Sequence, residues 1–304
     1  MGALYPAWDP YGTEIYREPV RRSWLIVSVL DDALLAQAAA SGADVIILDL
    51  EDGIHRTKKP LARERFPEAL ETVARSGAEV FVRPDIELLY ADLTAAVLPG
   101  LAGVVLPKVS SADQVQEAEE IMERLDAERG LPGVLELHPC VETALGNRHV
   151  DEILAAGTKV RSASLGRADL VMDLGPDPAG EIHMMPYLMQ RLILAARAAG
   201  VEPIGAWWAG DSRGMLASPE ATLQAAERGR RIGFTGALCV HASQVGPLNR
   251  GFLPDGEDTQ WAKSVAARSS RTGDTAQAET AAAERLLAYD GQCRARDEAK
   301  GRTG

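Results

Sequence analysis

Apolar residues fall in short runs along this chain, and eight of the runs have the length and β-rich composition of buried strands. They are WLIVSVL (24–30), DVIILDL (44–50), EVFVR (79–83), LAGVVLP (101–107), VLELHPCVE (134–142), VRSASLG (160–166), VEPIGAW (201–207) and GALCV (236–240). Between them lie stretches with apolar positions at helical spacing: DDALLAQAAASG, KPLARERFPEALETVARSG, SADQVQEAEEIMERLDAERG, MMPYLMQRLILAARAAG and SPEATLQAAERGRRIG. Gly42, Gly77, Gly130, Gly200 and Gly233 close these stretches, where a helix end commonly turns left-handed. Ser218 before Pro219, and Ser111 or Asp113, stand where helices should start.

Strands alternating with helices predict a parallel sheet covered by helices. Eight repeats are the number that closes a (β/α)8 TIM barrel, with an open doubly wound sheet as the alternative. The alternative calls for a Gly-rich first turn, and no GxGxxG follows WLIVSVL. The expected fold is therefore α/β, a barrel over residues 21–255 with a C-terminal helical extension. Residues 1–20 form an arm carrying Tyr5, Trp8, Tyr11 and Tyr16, which suit packing on the barrel or on another subunit. Residues 256–290 are read as a helical lid with Trp261 as its apolar anchor. The charged, Gly-containing residues 291–304 are expected to be disordered.

A barrel keeps its chemistry at the C-terminal strand ends, and here those ends are ionisable. The second run ends in Asp49, Leu50, Glu51 and Asp52, with Asp49 and Glu51 on one face and Asp52 on the other. The third ends in Arg83, the fourth in Lys108 and the fifth in Glu142. The sixth runs into Asp169 and Asp173, and the eighth ends at His241. Singly, each has a structural alternative: Arg83 a rim ion pair, Asp52 a helix cap, Lys108 a solvated surface residue, Asp173 a turn cap. Jointly, two carboxylates (Glu142 and Asp169) flanked by cations are how Mg²⁺ is commonly held, with waters and substrate oxygens completing the shell. His55 and His241 are the nearest imidazoles, but no HxxxH or HxH spacing points to zinc. His138 and Cys140 are read as packing residues.

Composition narrows the partners. A formal net charge of -12 and a pI near 5.0 argue against nucleic acid and against an anionic membrane surface. No apolar run approaches the ~18 residues of a membrane helix, and the first twenty residues lack the pattern of a signal peptide. Three scattered cysteines without zinc spacing fit a reducing cytoplasm.

Several segments now combine. RRSWLIVSV, SGADVIILDLEDGI and KKPLARE, then VVLPKVSSADQV, CVETALG, ASLGRADLVMDLG and GFTGALCVHASQVGPLNRGF, stand in order over residues 21–265. Together they resemble the citrate lyase β-subunit-like branch of the HpcH/HpaI aldolase superfamily. The resemblance implies a Mg²⁺- (or Mn²⁺-) dependent lyase that makes or breaks a carbon–carbon bond beside a 2-oxo or 2-hydroxy acid, or in its coenzyme A ester. It implies Glu142 and Asp169 as metal ligands. Arg83, Glu51 and Asp49 become the expected catalytic groups, and Arg83, Glu142, Asp52 and Lys108 the substrate contacts. Homo-oligomers, trimers or hexamers, are the implied assembly. Thioester hydrolysis on the same site, or a non-catalytic binding subunit, are the alternatives.

The chain departs from the family pattern in four places. It reads VRPD (to Asp85) where VRxN is usual, VHASQ for IHPxQ, and IGAWWAGD where an acid is often found in the seventh-strand segment. The Gly-rich hairpin by which the family's coenzyme A lyases lend an Asp to a neighbouring subunit is missing, and Asp274 is a poor substitute. A short free acid is therefore the expected substrate, ahead of a long thioester.

Overall fold

In the computed structural model, residues 20–175, 186–208, 217–268 and 274–301 are described. The eight expected strands are all present, as β1 (Ser23–Ser28), β2 (Val45–Asp49), β3 (Glu79–Arg83), β4 (Leu101–Leu106), β5 (Glu136–Val141), β6 (Ser162–Leu165), β7 (Glu202–Ile204) and β8 (Ala237–Cys239). They pair in parallel in the order β7-β6-β5-β4-β3-β2-β1-β8. A bridge between Ile204 and Gly236 brings the two edges together, giving a (β/α)8 barrel.

The helices are α1 (Asp32–Ala40), α2 (Lys59–Ala74), α3 (Leu89–Ala96), α4 (Ala112–Arg129), α5 (Ala144–Arg148), α6 (Val150–Ala155), α7 (Arg167–Leu174), α8 (Pro186–Ala199), α9 (Pro219–Ile232), α10 (Ala242–Gly251), α11 (Gly256–Ala266) and α12 (Asp274–Ala299). The five periodic stretches became α1, α2, α4, α8 and α9. Their closing glycines all have positive φ, and Ser218 and Ser111 sit at the starts of α9 and α4. The short helices α3, α5, α6, α7 and α10 were not foreseen. Ten residues or fewer give too few turns for a clear period.

Strand β2 is buried at every position, because one face packs inside the barrel and the other against helices. Val45 and Ile47 join Trp24, Phe81, Val105 and Ile204 in the barrel interior. Ile46 and Leu48 belong to the larger core under the helices. Parallel register then sets the rim: Ser28 pairs with Asp49, and Asp49 with Arg83. Charge arrives at one end of the barrel because the apolar alternation stops in the same row on neighbouring strands.

The C-terminal extension corrects two expectations. It packs at the opposite end, the base, instead of forming a lid over its own barrel's rim. Arg296 donates to Asp44, just before β2, and reaches Glu79 at the start of β3. Asp297 pairs with Arg22 at 2.6 Å, Lys300 reaches Asp44, and the Tyr289 hydroxyl donates to the Thr235 carbonyl ahead of β8. Trp261, expected as the apolar anchor, is 43% exposed. Residues 291–299 continue α12 as helix, where disorder was expected. Arg296 and Asp297 are engaged by the buried Asp44 and Arg22 at the barrel base, and Cys293 is fully buried there. Burial of that kind offsets the entropy that composition alone suggested would win. The four aromatics of the N-terminal arm lie outside the described residues.

Candidate active site

Arg83 closes β3 and lays its guanidinium along the Asp49 carboxylate at the end of β2. Nε to Oδ1 is 2.7 Å and Nη2 to Oδ2 is 2.8 Å. Asp49 also accepts from the backbone N–H groups of Glu51 (2.9 Å) and Gly53 (2.8 Å). A side chain at Gly53 would put Cβ 2.5 Å from Asp49 Oδ2, so the turn needs glycine. Burial opposes ionisation of Asp49, but Arg83 and the two amides outweigh it and hold the carboxyl below its ordinary range. Burial likewise opposes the charge on Arg83, and Asp49, with Glu51 and Glu142 behind it, more than compensates. The fork is therefore fixed, with Nη1 the nitrogen that Asp49 does not take.

Glu51 is buried beside that nitrogen. Its oxygens lie 3.3 Å from Arg83 Nη1 and 2.8 Å from Lys108 Nζ, as ionic contacts. Neither oxygen has a well-directed hydrogen bond among the described residues. Burial pushes the Glu51 carboxyl up, Arg83 and Lys108 pull it back, and Asp52 adds to the rise. Lys108 Nζ also bonds Asp52 at 3.1 Å and stands 4.0 Å from Asp169. Burial lowers the affinity of this ammonium for its proton, yet the Glu51 and Asp52 contacts win and keep it charged.

Glu142 follows β5 and is deeply buried. Its Oε1 accepts the Lys108 backbone N–H at 2.6 Å, and Cys140 Sγ is 3.3 Å from Oε2. Lys108 has φ 52°, and it is the one non-glycine residue with positive φ among the described residues. Strain of this sort is tolerated where surrounding structure over-determines it, and here it aims an amide at a carboxylate. Gly166 makes room from the other side, since a Cβ there would lie 1.9 Å from Glu142 Oε2. Burial first, opposed by the Lys108 amide and then aided by Asp169 and Glu51, pushes the Glu142 carboxyl up to about 7. Asp169 stands in the first turn of α7, its side chain 39% exposed toward the rim.

The structure thus gathers Asp49, Glu51, Asp52, Arg83, Lys108, Glu142 and Asp169 at one mouth of the barrel. Asp173 is apart from them and caps α5, accepting from Ala144 N at 2.6 Å. His241 precedes α10 and His55 caps the turn at Arg56–Lys58. Asp85, where the family's amide was missed, pairs with Lys59 at 2.8 Å. Lys59 is a group the sequence reading overlooked. Its buried ammonium donates to the Leu50 and Glu51 carbonyls (2.5 and 2.7 Å) and supports the acidic turn from beneath. The cue was a lysine one turn after a Gly-containing loop, indistinguishable in sequence from the solvated Lys58 beside it. Asp211 of IGAWWAGD lies outside the described residues.

His138 and Cys140 are also more than filler. Pro139 leaves the β5 alternation intact, so His138, Cys140 and Glu142 share the inward face. Fully buried, His138 contacts Ser162 Oγ (Nδ1, 2.7 Å) and Ser164 Oγ (Nε2, 2.8 Å) and lies against the Trp24 ring. Burial, helped by the Arg21 charge, lowers its pKa to about 3, so the ring is neutral.

A parallel (β/α)8 barrel with carboxylates and a locked guanidinium at its C-terminal mouth belongs to the class of barrel enzymes whose chemistry sits at that face. The HpcH/HpaI aldolase/citrate lyase family model matches residues 22–242, and the chain belongs to that family. It is 27% identical over 254 residues to the citrate lyase subunit beta of Leuconostoc mesenteroides subsp. cremoris, covering 82% of each chain. It is 26% identical to the L-malyl-CoA/beta-methylmalyl-CoA lyase of Rhodobacter capsulatus, covering 73% of this chain and 76% of that one. Among solved structures, CitE from Mycobacterium tuberculosis in complex with magnesium, acetoacetate and coenzyme A superposes with a TM-score of 0.68 at 26% identity. The match spans 90% of this chain and 99% of CitE.

Proposed function

We propose that this chain is a carbon–carbon lyase for a 2-hydroxy or 2-oxo acid, or its coenzyme A ester, with Mg²⁺ (or Mn²⁺) held by Glu142 and Asp169. The observation that carries the reading is the meeting, at one mouth, of those two carboxylates with an arginine already fixed by Asp49. The donor set fits such an ion. Among the described residues no group of three or more His, Cys, Asp or Glu side chains is arranged to hold a metal by itself. Two carboxylates with space left for water and substrate oxygens suit Mg²⁺, which keeps part of its hydration. The citrate lyase and malyl-CoA lyase relatives, and the magnesium-bound CitE structure, support both the activity and the ion.

Cleavage of such a bond leaves negative charge on the departing enolate, and the site must offer positive charge where it develops. Bound there, the cation acts as a Lewis acid toward the substrate's carboxylate and carbonyl oxygens. Asp49 orients Arg83, so that Nη1 meets the substrate without reorganisation. Glu51, buried and short of directed donors, is placed to accept or return a proton as the bond breaks or forms. Lys108 and Asp52 line the outer rim and set the approach of the substrate. Among the described residues the C-terminal helix meets the barrel at its base through Tyr289, Arg296 and Asp297, away from the mouth, and this supports a short acid over a long thioester.

Three buried free thiols support a cytoplasmic enzyme. A trimer or hexamer is the assembly we assign by resemblance. Calorimetric titration with Mg²⁺ and a 2-oxo acid tests the site: Glu142→Ala and Asp169→Ala should abolish binding. Unchanged binding in both removes the proposed ligands. A side-by-side assay on malate-like free acids and malyl-coenzyme A tests the substrate, and clear preference for the thioester overturns the free-acid reading.

A further inference from the structure

Beneath Glu142 the barrel interior is polar where its neighbours are apolar. Ser162 and Ser164 on β6 face His138 and Cys140 on β5, one row apart, with Cys140 and Ser164 paired in register. Their contacts run in sequence toward the site. Ser162 Oγ lies 2.7 Å from His138 Nδ1, His138 Nε2 lies 2.8 Å from Ser164 Oγ, Ser164 Oγ is 3.3 Å from Cys140 Sγ, and Cys140 Sγ is 3.3 Å from Glu142 Oε2.

Each of the four groups below Glu142 has a single proton to give, so the direction of every bond follows from the last one. A carboxylate that holds a cation is ionised and only accepts. Cys140 must therefore donate its S–H to Glu142. Its sulfur then accepts the Ser164 O–H, and Ser164, its proton spent, accepts from His138. That requires the Nε2–H tautomer, which leaves Nδ1 bare to accept the Ser162 O–H. Each of the four protons then has an acceptor in the chain. A purely space-filling core would not need four polar groups on one face, since each costs free energy to bury unless it is bonded.

We propose that His138, Ser164 and Cys140 form a one-way hydrogen-bonded chain that positions the Glu142 carboxylate for its cation. Glu142 is gripped from both sides. The Lys108 amide holds Oε1 and the chain holds Oε2. Gly166, where a Cβ would collide with Glu142 Oε2, lets the carboxylate lie against the backbone after β6. The three residues touch no substrate and are positioning residues, as outer partners of metal ligands commonly are. This inference rests on the reading of Glu142 as a ligand, and its test separates the two.

Mg²⁺ affinity of the full chain is measured by calorimetry for Cys140→Ala, which removes the donor, and Cys140→Ser, which keeps one. His138→Leu and His138→Gln form the matching pair, because the Gln amide can donate where Nε2–H does. Loss of an outer partner typically weakens metal binding by about 10- to 100-fold. That loss is expected in Cys140→Ala and His138→Leu, with Cys140→Ser and His138→Gln recovering most of it. Thermal unfolding in chelator should not separate Cys140→Ala from Cys140→Ser, whereas a merely structural role would move the midpoint and leave affinity alone. Should His138→Leu fail to fold, the cysteine pair decides. Nitrogen NMR of the wild-type imidazole at alkaline pH gives an independent readout, with Nε2–H expected. Wild-type affinity in Cys140→Ala, or an Nδ1–H imidazole, overturns the chain. Absence of Mg²⁺ binding in the wild type instead overturns the metal reading, and the tautomer alone then decides the chain.

Discussion

Both ends of this barrel are closed by ions, yet they are built to opposite rules. At the base, among the described residues, the cations Arg21, Arg22, Arg296 and Lys300 meet the carboxylates Asp44, Glu79, Glu136 and Asp297 one for one. At the mouth, among the described residues, Asp49, Glu51, Asp52 and Asp169 crowd around Arg83 and Lys108, with Glu142 beside them. The buried charges of the base are hydrogen-bonded on several sides. Asp44 alone accepts from Arg22, Arg296 and Lys300. At the mouth, Glu51 lacks directed donors and Glu142 is pushed toward neutrality. Matched charge makes a base that holds the C-terminal helix; clustered carboxylates make a mouth that suits the cation proposed above.

The sharpest separation should come from one arginine at each end. Arg83→Lys keeps charge but loses the fork, and turnover should fall by roughly two to four powers of ten, the scale of losing a preorganised charge donor. Its unfolding midpoint should move far less than its rate. Near-normal turnover would reduce Arg83 to a rim ion pair. Asp44→Ala at the base should do the reverse. It takes from the fully buried Arg22 one of its two carboxylates, leaving Asp297, and removes the carboxylate that Arg296 and Lys300 share, at a cost of about 3–5 kcal/mol by analogy with broken buried pairs. Denaturant unfolding should show that loss while turnover per folded molecule stays near wild type; a stable variant would mean the base network is ornamental.

The two ends should also titrate apart. Burial opposes the charge on Asp44, but Arg22, Lys300 and Arg296 overcome it and hold the group well below the carboxylate range. Its stabilisation is therefore present above the ordinary value of ~4 and is lost as pH falls further, so acid unfolding begins at the base. Glu142 is raised to about 7, chiefly by burial. The folded state then binds an extra proton between ~4.5 and 7, and this site's contribution to stability declines as pH rises through that window. Mg²⁺ competes with the same proton, so its affinity should climb with pH up to about 7 and level off above it. Affinity that stays flat from pH 5 to 8 would place the binding carboxylate elsewhere.

What could be read from the chain differs between the two ends for a physical reason. The strands and the mouth were legible because apolar alternation and the charges that end it are local. "VIILDLED" announces both a buried strand and a charged rim. Roles within the mouth were less legible. Asp49 and Glu51 look alike in sequence, but only the parallel register gives Asp49 to Arg83 and leaves Glu51 short of donors. Lys59, Gly166 and the His138–Ser164 contact depend on residues far apart in the chain, and each in isolation resembles an ordinary surface or core position. The base was misread outright. Arg296, Asp297 and Lys300 have the composition of a disordered tail, and their partners Asp44 and Arg22 lie more than two hundred residues earlier.

The smallest expected effect probes how much that tail contributes to the base. Arg296→Met removes one cation from Asp44 and its reach to Glu79, but Asp44 keeps Arg22 and Lys300, and Glu79 keeps Arg21. No buried carboxylate is left alone, and the methionine stem preserves most of the packing. The loss should then be on the order of 1 kcal/mol, near the upper end for partly exposed ion pairs. Pairing it with Lys300→Met takes away two of the three cations described against Asp44 and leaves Arg22, so the double variant should lose more than the sum of the singles. Simple additivity by chemical denaturation would show that the C-terminal helix rests on the base through independent contacts, and that the one-for-one matching there carries no cooperative weight.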